Sequence, residues 1–278
     1  MTDLTLKPNY LIERSIQLNK TITENRWTIT ECRFLDAYLA KIDARYPSTR
    51  RVRFSLEEFK GIFELTDSDV AKPSKLKPLA TKLIKQVVVE DYSEGDEIDL
   101  ESIKLFRRCK IMRNNDGAWV VDIEADNEAM PFMFDIKEYF SSRLGIVSKL
   151  DTVPKRNLYY IIKQGEYVGE LIIPLKELLV RVCGKNSKYN FNDFKRYILD
   201  KCKVFFEKEC ELFFEYERIK GAHNATKAVR FFNIKSNDLY RQIAIDMDAP
   251  IRIVSDIEQA FPIAKLERNR KELEHEND

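Results

Sequence analysis

The stretch Lys188 to Lys235, KYNFNDFKRYILDKCKVFFEKECELFFEYERIKGAHNATKAVRFFNIK, leaves few folds open to this chain. Phe191, Phe194, Ile198, Cys202 and Phe205 recur at steps of three and four. That spacing places them on one stripe of a helix turning every ~3.6 residues. The opposite face carries Asn192, Lys195, Arg196 and Lys203, with Lys201 on its flank. Two runs rich in aromatic and β-branched residues follow, Glu211 to Ile219 and Lys227 to Ile234. Between them Lys220 to Thr226 is a polar turn, with Gly221 and Asn224 to take the difficult dihedrals. A half-buried helix with a basic outer face, then a hairpin with a basic tip, is the layout of a winged helix. In that layout the helix enters a DNA groove and the hairpin lies along the backbone beside it.

The pattern occurs twice. Phe54-Ser55-Leu56-Glu57-Glu58-Phe59 parallels Ile173-Pro174-Leu175-Lys176-Glu177-Leu178, and Leu79 to Ile84 parallels Phe194 to Leu199. Each copy reads helix, strand, helix, basic helix, hairpin. The expected fold is α+β, two tandem winged-helix domains related by a pseudo-two-fold internal repeat. With 278 residues and 44% apolar content there is material for two cores. The apolar Met130 to Phe134 after the acidic Asp122 to Glu128 marks the boundary. The domains expected are 1–130 and 131–247, with a partly disordered tail at 248–278.

Taken in order, residues 1–7 read as disordered and Pro8 to Leu18 as a short amphipathic helix. Thr28 or Thr30 caps a longer helix through Ala44. Val52 to Phe54 is a strand, and Ser55 opens a helix to Phe63 with a capping box over Ser55 to Glu58. Asp67 to Pro73 reads as a turn. The next helix starts at Ser74, with Pro78 in its first turn. Ile103 to Ile123 reads as two strands joined at Asn114-Asn115-Asp116-Gly117. Asp135 to Leu144 and Pro154 to Lys163 are expected as helices, Glu170 to Ile173 as a strand, and Pro174 as the opening of a helix to Val182.

Charge is segregated rather than absent. The net charge is +1, yet Val70 to Val89 holds five lysines and Arg218 to Lys235 holds Arg218, Lys220, Lys227, Arg230 and Lys235 without an acid. Glu90 to Glu101 holds seven acids and no base, and reads as a solvated loop because its Gly and Glu spacing misses that of a calcium loop. Local patches set the field a partner feels. Five scattered cysteines without a C-x-x-C motif fit buried thiols in a reducing compartment. No apolar run approaches a membrane span, so a soluble, cytoplasmic protein without membrane contact is expected.

Several segments resemble the iteron-binding plasmid replication initiators, the Rep family. They are Arg156-Asn157-Leu158-Tyr159-Tyr160-Ile161-Ile162, Ile173 to Leu178, Lys188-Tyr189 followed by Phe194 to Leu199, and Lys220-Gly221 followed by Thr226 to Phe232. Thr30 to Leu35 and Leu76 to Ile84 match more loosely. The resemblance covers roughly Leu11 to Ile234. It implies binding of double-stranded DNA at direct origin repeats, opening of the adjacent duplex, and recruitment of the host initiator and the replicative helicase. It also implies autorepression as a homodimer, with the first domain supplying the dimer contact. The chain departs from the family in carrying more Lys than Arg on the recognition helix and in ending it with Phe205-Phe206-Glu207-Lys208-Glu209.

On this reading Arg196 and Lys195 contact bases, since arginine offers a fork for the guanine edge. A Lys/Arg pair by itself is a solvated helix face; the hairpin and the repeat turn the reading toward DNA. Asn192 and Tyr189 reach adenine or phosphate, or Asn192 only helps start the helix. Lys188 and Lys220 hold phosphates, which position without specifying sequence, and Lys203 and Lys227 are also expected to bind DNA. For His223, a backbone contact and an idle loop position are equal readings. In the first half Ser74, Lys75 and Lys77 stand at a helix start suited to phosphate. Arg107, with Arg108 and Arg113, lies on the first hairpin, facing either DNA or solvent. Two histidines, His223 and His275, argue against a paired-histidine metal site, and Gly184-Lys185-Asn186-Ser187 is not a phosphate loop. Neither an enzyme, a cofactor nor a metal is expected. The alternative function is a winged-helix transcription regulator without a replication role.

Overall fold

Pro8 to Leu18, expected as one helix, instead holds β1 (Leu11–Ser15) and the start of α1 (Ile16–Glu24). The Ser15 hydroxyl accepts from the Leu18 amide at 3.0 Å and donates to the Phe132 carbonyl at 2.7 Å, so it starts the helix and anchors the strand end. The computed structural model describes residues 5–24, 27–66, 73–85, 87–91, 100–134, 136, 139–221 and 225–237. The expectations for residues 1–4, for the turn at 67–72, for His223 and for the tail at 248–278 lie outside these.

α2 (Ile29–Leu39) is capped by Thr28, whose hydroxyl accepts from the Glu31 amide while Glu31 accepts from the Thr28 amide at 2.7 Å. The capping box lies here and not at Ser55, and α2 ends five residues short of Ala44. A 3-10 turn, Pro47–Arg50, leads into β2 (Arg51–Ser55) and α3 (Leu56–Ile62), where Ser55 makes a single cap bond to the Glu57 amide at 3.2 Å. α4 (Pro73–Lys85) begins at Pro73, so Pro78 sits inside the helix and not in its first turn. β3 (Val87–Asp91) pairs antiparallel with β4 (Leu100–Lys104). Both ends of the acidic run expected as a loop are therefore strand.

β5 (Phe106–Arg113) and β6 (Trp119–Ala125) form the expected hairpin. The Asn114 side chain accepts from the Asp116 and Ala118 amides at 3.1 and 2.8 Å, and Gly117 takes φ +79°, which glycine adopts at least cost. After the short helix α5 (Met130–Met133) comes β7 (Tyr139–Arg143), where a helix was expected. β1 and β7 form a two-stranded antiparallel ladder, Leu11 opposite Arg143 and Ser15 opposite Tyr139. Each supplies the other's backbone partners across more than a hundred residues, and that non-local pairing overrides weak local preference. α6 (Leu144–Val147), α7 (Val153–Gln164), β8 (Glu170–Pro174) and α8 (Leu175–Cys183) follow. A long helix, α9, spans 191–210, and β9 (Leu212–Lys220) and β10 (Thr226–Ser236) close the described chain.

The two three-stranded sheets have orders β2-β6-β5 and β8-β10-β9, all pairs antiparallel and the last strand central in each. Under the first sheet, Phe34, Phe54, Phe59 and Phe63 pack with successive ring centroids 4.3 to 6.0 Å apart. Under the second, Tyr159, Phe206, Phe214 and Phe231 form the equivalent chain at 5.6 to 6.5 Å. Between these clusters lies a buried ionic knot: Asp36 of α2 bonds Arg14 of β1 at 2.8 Å and Arg156 of α7 at 2.9 and 2.6 Å.

Packing at the end of α7 leaves no room for a side chain at Gly165. A Cβ there would lie 2.7 Å from the Ile234 Cδ1, 3.0 Å from the Leu171 Cβ and 3.2 Å from the Glu170 carbonyl. Gly165→Ala is expected to cost about 1–3 kcal/mol by overpacking, measured by urea unfolding. A change below about 0.5 kcal/mol would mean that β8 and β10 yield freely.

Candidate nucleic-acid interface

α9 starts on Asn190, whose side chain accepts from the Asp193 amide at 2.9 Å. Asn190, and not Asn192, is the cap; Asn192 stands exposed. Two stretches of α9, Lys195–Leu199 and Phe206–Cys210, are π-turns. Each adds a residue to its turn and rotates everything beyond it. The buried stripe is therefore Phe191, Phe194, Leu199, Cys202, Phe206 and Cys210, with a step of five across the first π-turn. Sequence spacing expects Ile198 and Phe205 inside; both are only partly buried. The rotation also turns Tyr197 outward, where it is 46% exposed beside Arg196, whose guanidinium lies 5.3 Å from its ring.

The exposed face of the helix and its approach thus comprise Lys188, Tyr189, Asn192, Arg196, Tyr197 and Lys201. Arg196 makes no ion pair among the described residues. Lys195 and Lys203 differ from it. The Lys195 ammonium bonds Asp200 at 2.9 Å, and Lys203 bonds Glu215 of β9 at 3.0 Å. The Tyr216 hydroxyl donates to the other oxygen of Asp200. That bond, with Lys195 behind it, holds the Asp200 carboxyl below the usual carboxylate range, and the bond to Asp200 raises the Lys195 ammonium. Burial, reinforced by Asp200, pushes the Tyr216 phenol up to about 12.

The β9–β10 hairpin stands beside α9. Gly221 donates to the Ala225 carbonyl at 2.8 Å to close its tip, and Arg218, Lys220 and Lys227 are exposed. Arg230 is used internally: it bonds Glu170 of β8 at 2.8 and 2.9 Å and Glu217 of β9 at 3.0 Å, clamping the three strands.

In the first half, Lys82 and Lys85 are exposed on α4, while Leu79 and Leu83 face the core. Ser74, Lys75 and Lys77 lie on the backbone of α4, with their side chains outside the described set. Arg107 is paired with Glu124. Arg51 and Arg53 meet the buried Asp122 at 2.7 to 3.1 Å, so these two, like Arg107, are matched by acids, whereas Arg108, Lys110 and Arg113 of β5 stand exposed. The Arg51 bonds hold the Asp122 carboxyl below its ordinary range. A lowered carboxyl stabilises the fold above the unfolded value near ~3.9 and loses that contribution as pH falls through the folded value. Asp122→Asn is accordingly expected to flatten the acid limb of stability below about pH 4. Urea midpoints at pH 7 and pH 3 measure this, and parallel limbs for the two proteins would remove Asp122 as their source.

All five cysteines are free, and among the described residues no group of three or more His, Cys, Asp and Glu side chains is placed to hold a metal. No helix among them is long and apolar enough to cross a membrane.

Comparison with curated proteins found no match. Among solved structures the chain is similar to the Pi initiator protein, seen in a crystal structure with iteron DNA. The TM-score is 0.65 at 17% identity, over 84% of this chain and 100% of that one. At that identity the likeness is one of fold, a mixed helix and strand architecture. The family described as Initiator Replication protein, WH1, matches residues 7–163, more than half of the chain and including the whole first sheet. With its winged-helix region on those residues, the chain belongs to the initiator replication protein family.

Proposed function

We propose that this protein initiates plasmid replication by binding direct repeats at the origin through two tandem winged helices, 1–130 and 131–247. In the second, α9 lies in the major groove with Arg196 and Asn192 at base edges. Lys188, Tyr189 and Lys201 stand beside them, and Lys220 and Lys227 lie along the phosphates of the adjacent backbone. Lys195 and Lys203 join only by leaving their carboxylates. In the first, α4 takes the corresponding place with Ser74, Lys75 and Lys77. Opening of the neighbouring duplex, recruitment of the host initiator and helicase, and autorepression as a homodimer complete the reading. It is a reading of binding, not of catalysis.

The observation that carries it is the outward basic and aromatic face of α9 beside an exposed lysine-bearing hairpin, in an initiator-family chain whose fold follows that of a protein bound to iteron DNA. The test is binding of the full chain to the DNA flanking its own gene, against a scrambled duplex, over a salt series. Tight repeat-specific binding, with log affinity falling by about 0.9 per phosphate contact, supports it. Specific binding only to an inverted repeat replaces it with a regulator, and equal weak binding to both duplexes removes it.

The same titration reads the Lys195–Asp200 pair. Asp200→Asn removes the carboxylate holding Lys195, and is expected to tighten binding and steepen the salt slope by about 0.9, one added phosphate contact. An unchanged slope would leave Lys195 out of the interface.

A further inference from the structure

Past the first π-turn the outer line of α9 keeps step with the buried stripe. The buried side passes from Phe194 to Leu199 and the exposed side from Arg196 to Lys201, each a step of five. Asn192, Arg196, Lys201, Val204 and Lys208 therefore share one outward line. Four of them carry hydrogen-bonding side chains; Val204 does not, and it is 66% exposed. A β-branched residue is a poor helix former, and an apolar side chain gains nothing from water, so both preferences run against valine here. Single apolar residues are common on surfaces. This one, however, stands between Lys201 and Lys208, three positions before it and four after, both exposed. The acids at this end of the helix are matched, Glu207 by Lys203 at 3.9 Å and Glu209 by Lys149 at 3.6 Å. Lysine is depleted from the cores of protein interfaces, so a lone valine between two lysines does not suit a protein partner.

We propose that Val204 reads the methyl group of a thymine in the bound DNA. The proposal rests on the reading of α9 as the groove-binding helix and adds a specificity-determining residue to it. The thymine methyl is the apolar feature of the major-groove base edges, and an aliphatic side chain meets it without a donor or an acceptor. Lys201 and Lys208 bracket the valine with positive charge for the neighbouring phosphates. Tyr197 does not take this role, because its ring faces the Arg196 guanidinium and lies 6.4 Å from that of Tyr189. Val204 follows Arg196 by eight positions on the same line. That is about 12 Å along a helix rising ~1.5 Å per residue. At ~3.4 Å per base pair, the thymine lies about three to four base pairs from the base that Arg196 reads.

The test replaces each thymine of the specifically bound duplex in turn with uracil, which removes only the methyl. The full chain and its Val204→Ala variant are titrated against the set. Alanine is the better helix former, so the variant keeps α9. For the unaltered chain, one uracil is expected to weaken binding about fourfold, the worth of one buried methyl group. That position should fall about three to four base pairs from the one whose identity ceases to matter in Arg196→Ala. Val204→Ala should bind the thymine duplex about fourfold more weakly and become indifferent to that uracil. Its salt slope should stay unchanged, since no charge is removed. Specific binding with no sensitive thymine overturns the proposal and leaves the groove-binding reading of α9 intact. So does a thymine that stays sensitive in Val204→Ala, or a salt slope altered by that substitution. Equal weak binding to repeat and scrambled duplex removes both.

Discussion

Asp36→Ala is expected to cost about 3–5 kcal/mol of folding stability, the range for removing one partner from a buried charge cluster. The reason is an imbalance of charge. Asp36 is fully buried, and so are the two guanidiniums it serves, Arg14 and Arg156. Arg156 grips both carboxylate oxygens, through Nε at 2.9 Å and Nη2 at 2.6 Å, while Arg14 adds a bond at 2.8 Å and the Tyr160 hydroxyl donates at 3.1 Å. The Tyr160 ring softens the excess positive charge, lying 4.3 Å from one guanidinium and 4.7 Å from the other. Even so, burial and the neighbouring Arg156 push the Arg14 guanidinium below its usual value. Without the carboxylate, two cations face each other in the core with little to offset their desolvation. Because β1, α2 and α7 all end on this knot, the loss is expected as one cooperative shift in urea or thermal unfolding of the full chain. Arg156→Lys should fall between the two, since an ammonium cannot reproduce the fork. A loss under about 1 kcal/mol for Asp36→Ala would mean that water enters and solvates the arginines.

The second large effect is functional. Arg196→Ala is expected to cost about 1–3 kcal/mol in binding to the origin repeat and to relax preference at one base position. Lys220→Ala should weaken repeat and scrambled duplex alike, because a phosphate contact carries no sequence. The contrast rests on the different states of the helix cations: Arg196 is exposed without a carboxylate, whereas Lys195 and Lys203 are held by Asp200 and Glu215. Arg196→Lys should not restore discrimination, since one ammonium cannot make the two parallel bonds of the guanine contact. Paired affinities on repeat and scrambled duplex at fixed salt decide the matter. Equal losses on both for Arg196→Ala would reassign it to the phosphates.

Where local chemistry settles the backbone, the sequence was readable. Asn114 to Gly117 specifies a tight turn wherever it occurs, and the structure has it. The two aromatic runs read at Glu211 to Ile219 and Lys227 to Ile234 pair as β9 and β10, and the helix at Pro154 and the strand before Pro174 are present as read. The failures share a cause. Pro8 to Leu18 and Asp135 to Leu144 have patterns compatible with a helix, yet they hold β1 and β7 because each is the other's partner. On the candidate interface, Tyr197 was missed because a regular helical period places the inward position at Ile198, and the π-turn moves it to Leu199.

By itself the sequence determined the kinds of element and their order in the last third of the described chain: a basic-faced helix followed by a basic-tipped hairpin. Periodicity, turn residues and charge runs are properties of neighbours along the chain, and they survive without the fold. Only the tertiary structure decided which cations are available and which are consumed. Arg107, Arg230, Lys195 and Lys203 read like Arg196 in one dimension, yet each meets a carboxylate. Some of those acids are close in sequence, such as Asp200, and others, such as Glu170, lie sixty positions away. An ion pair depends on distance in space, and folding sets that distance.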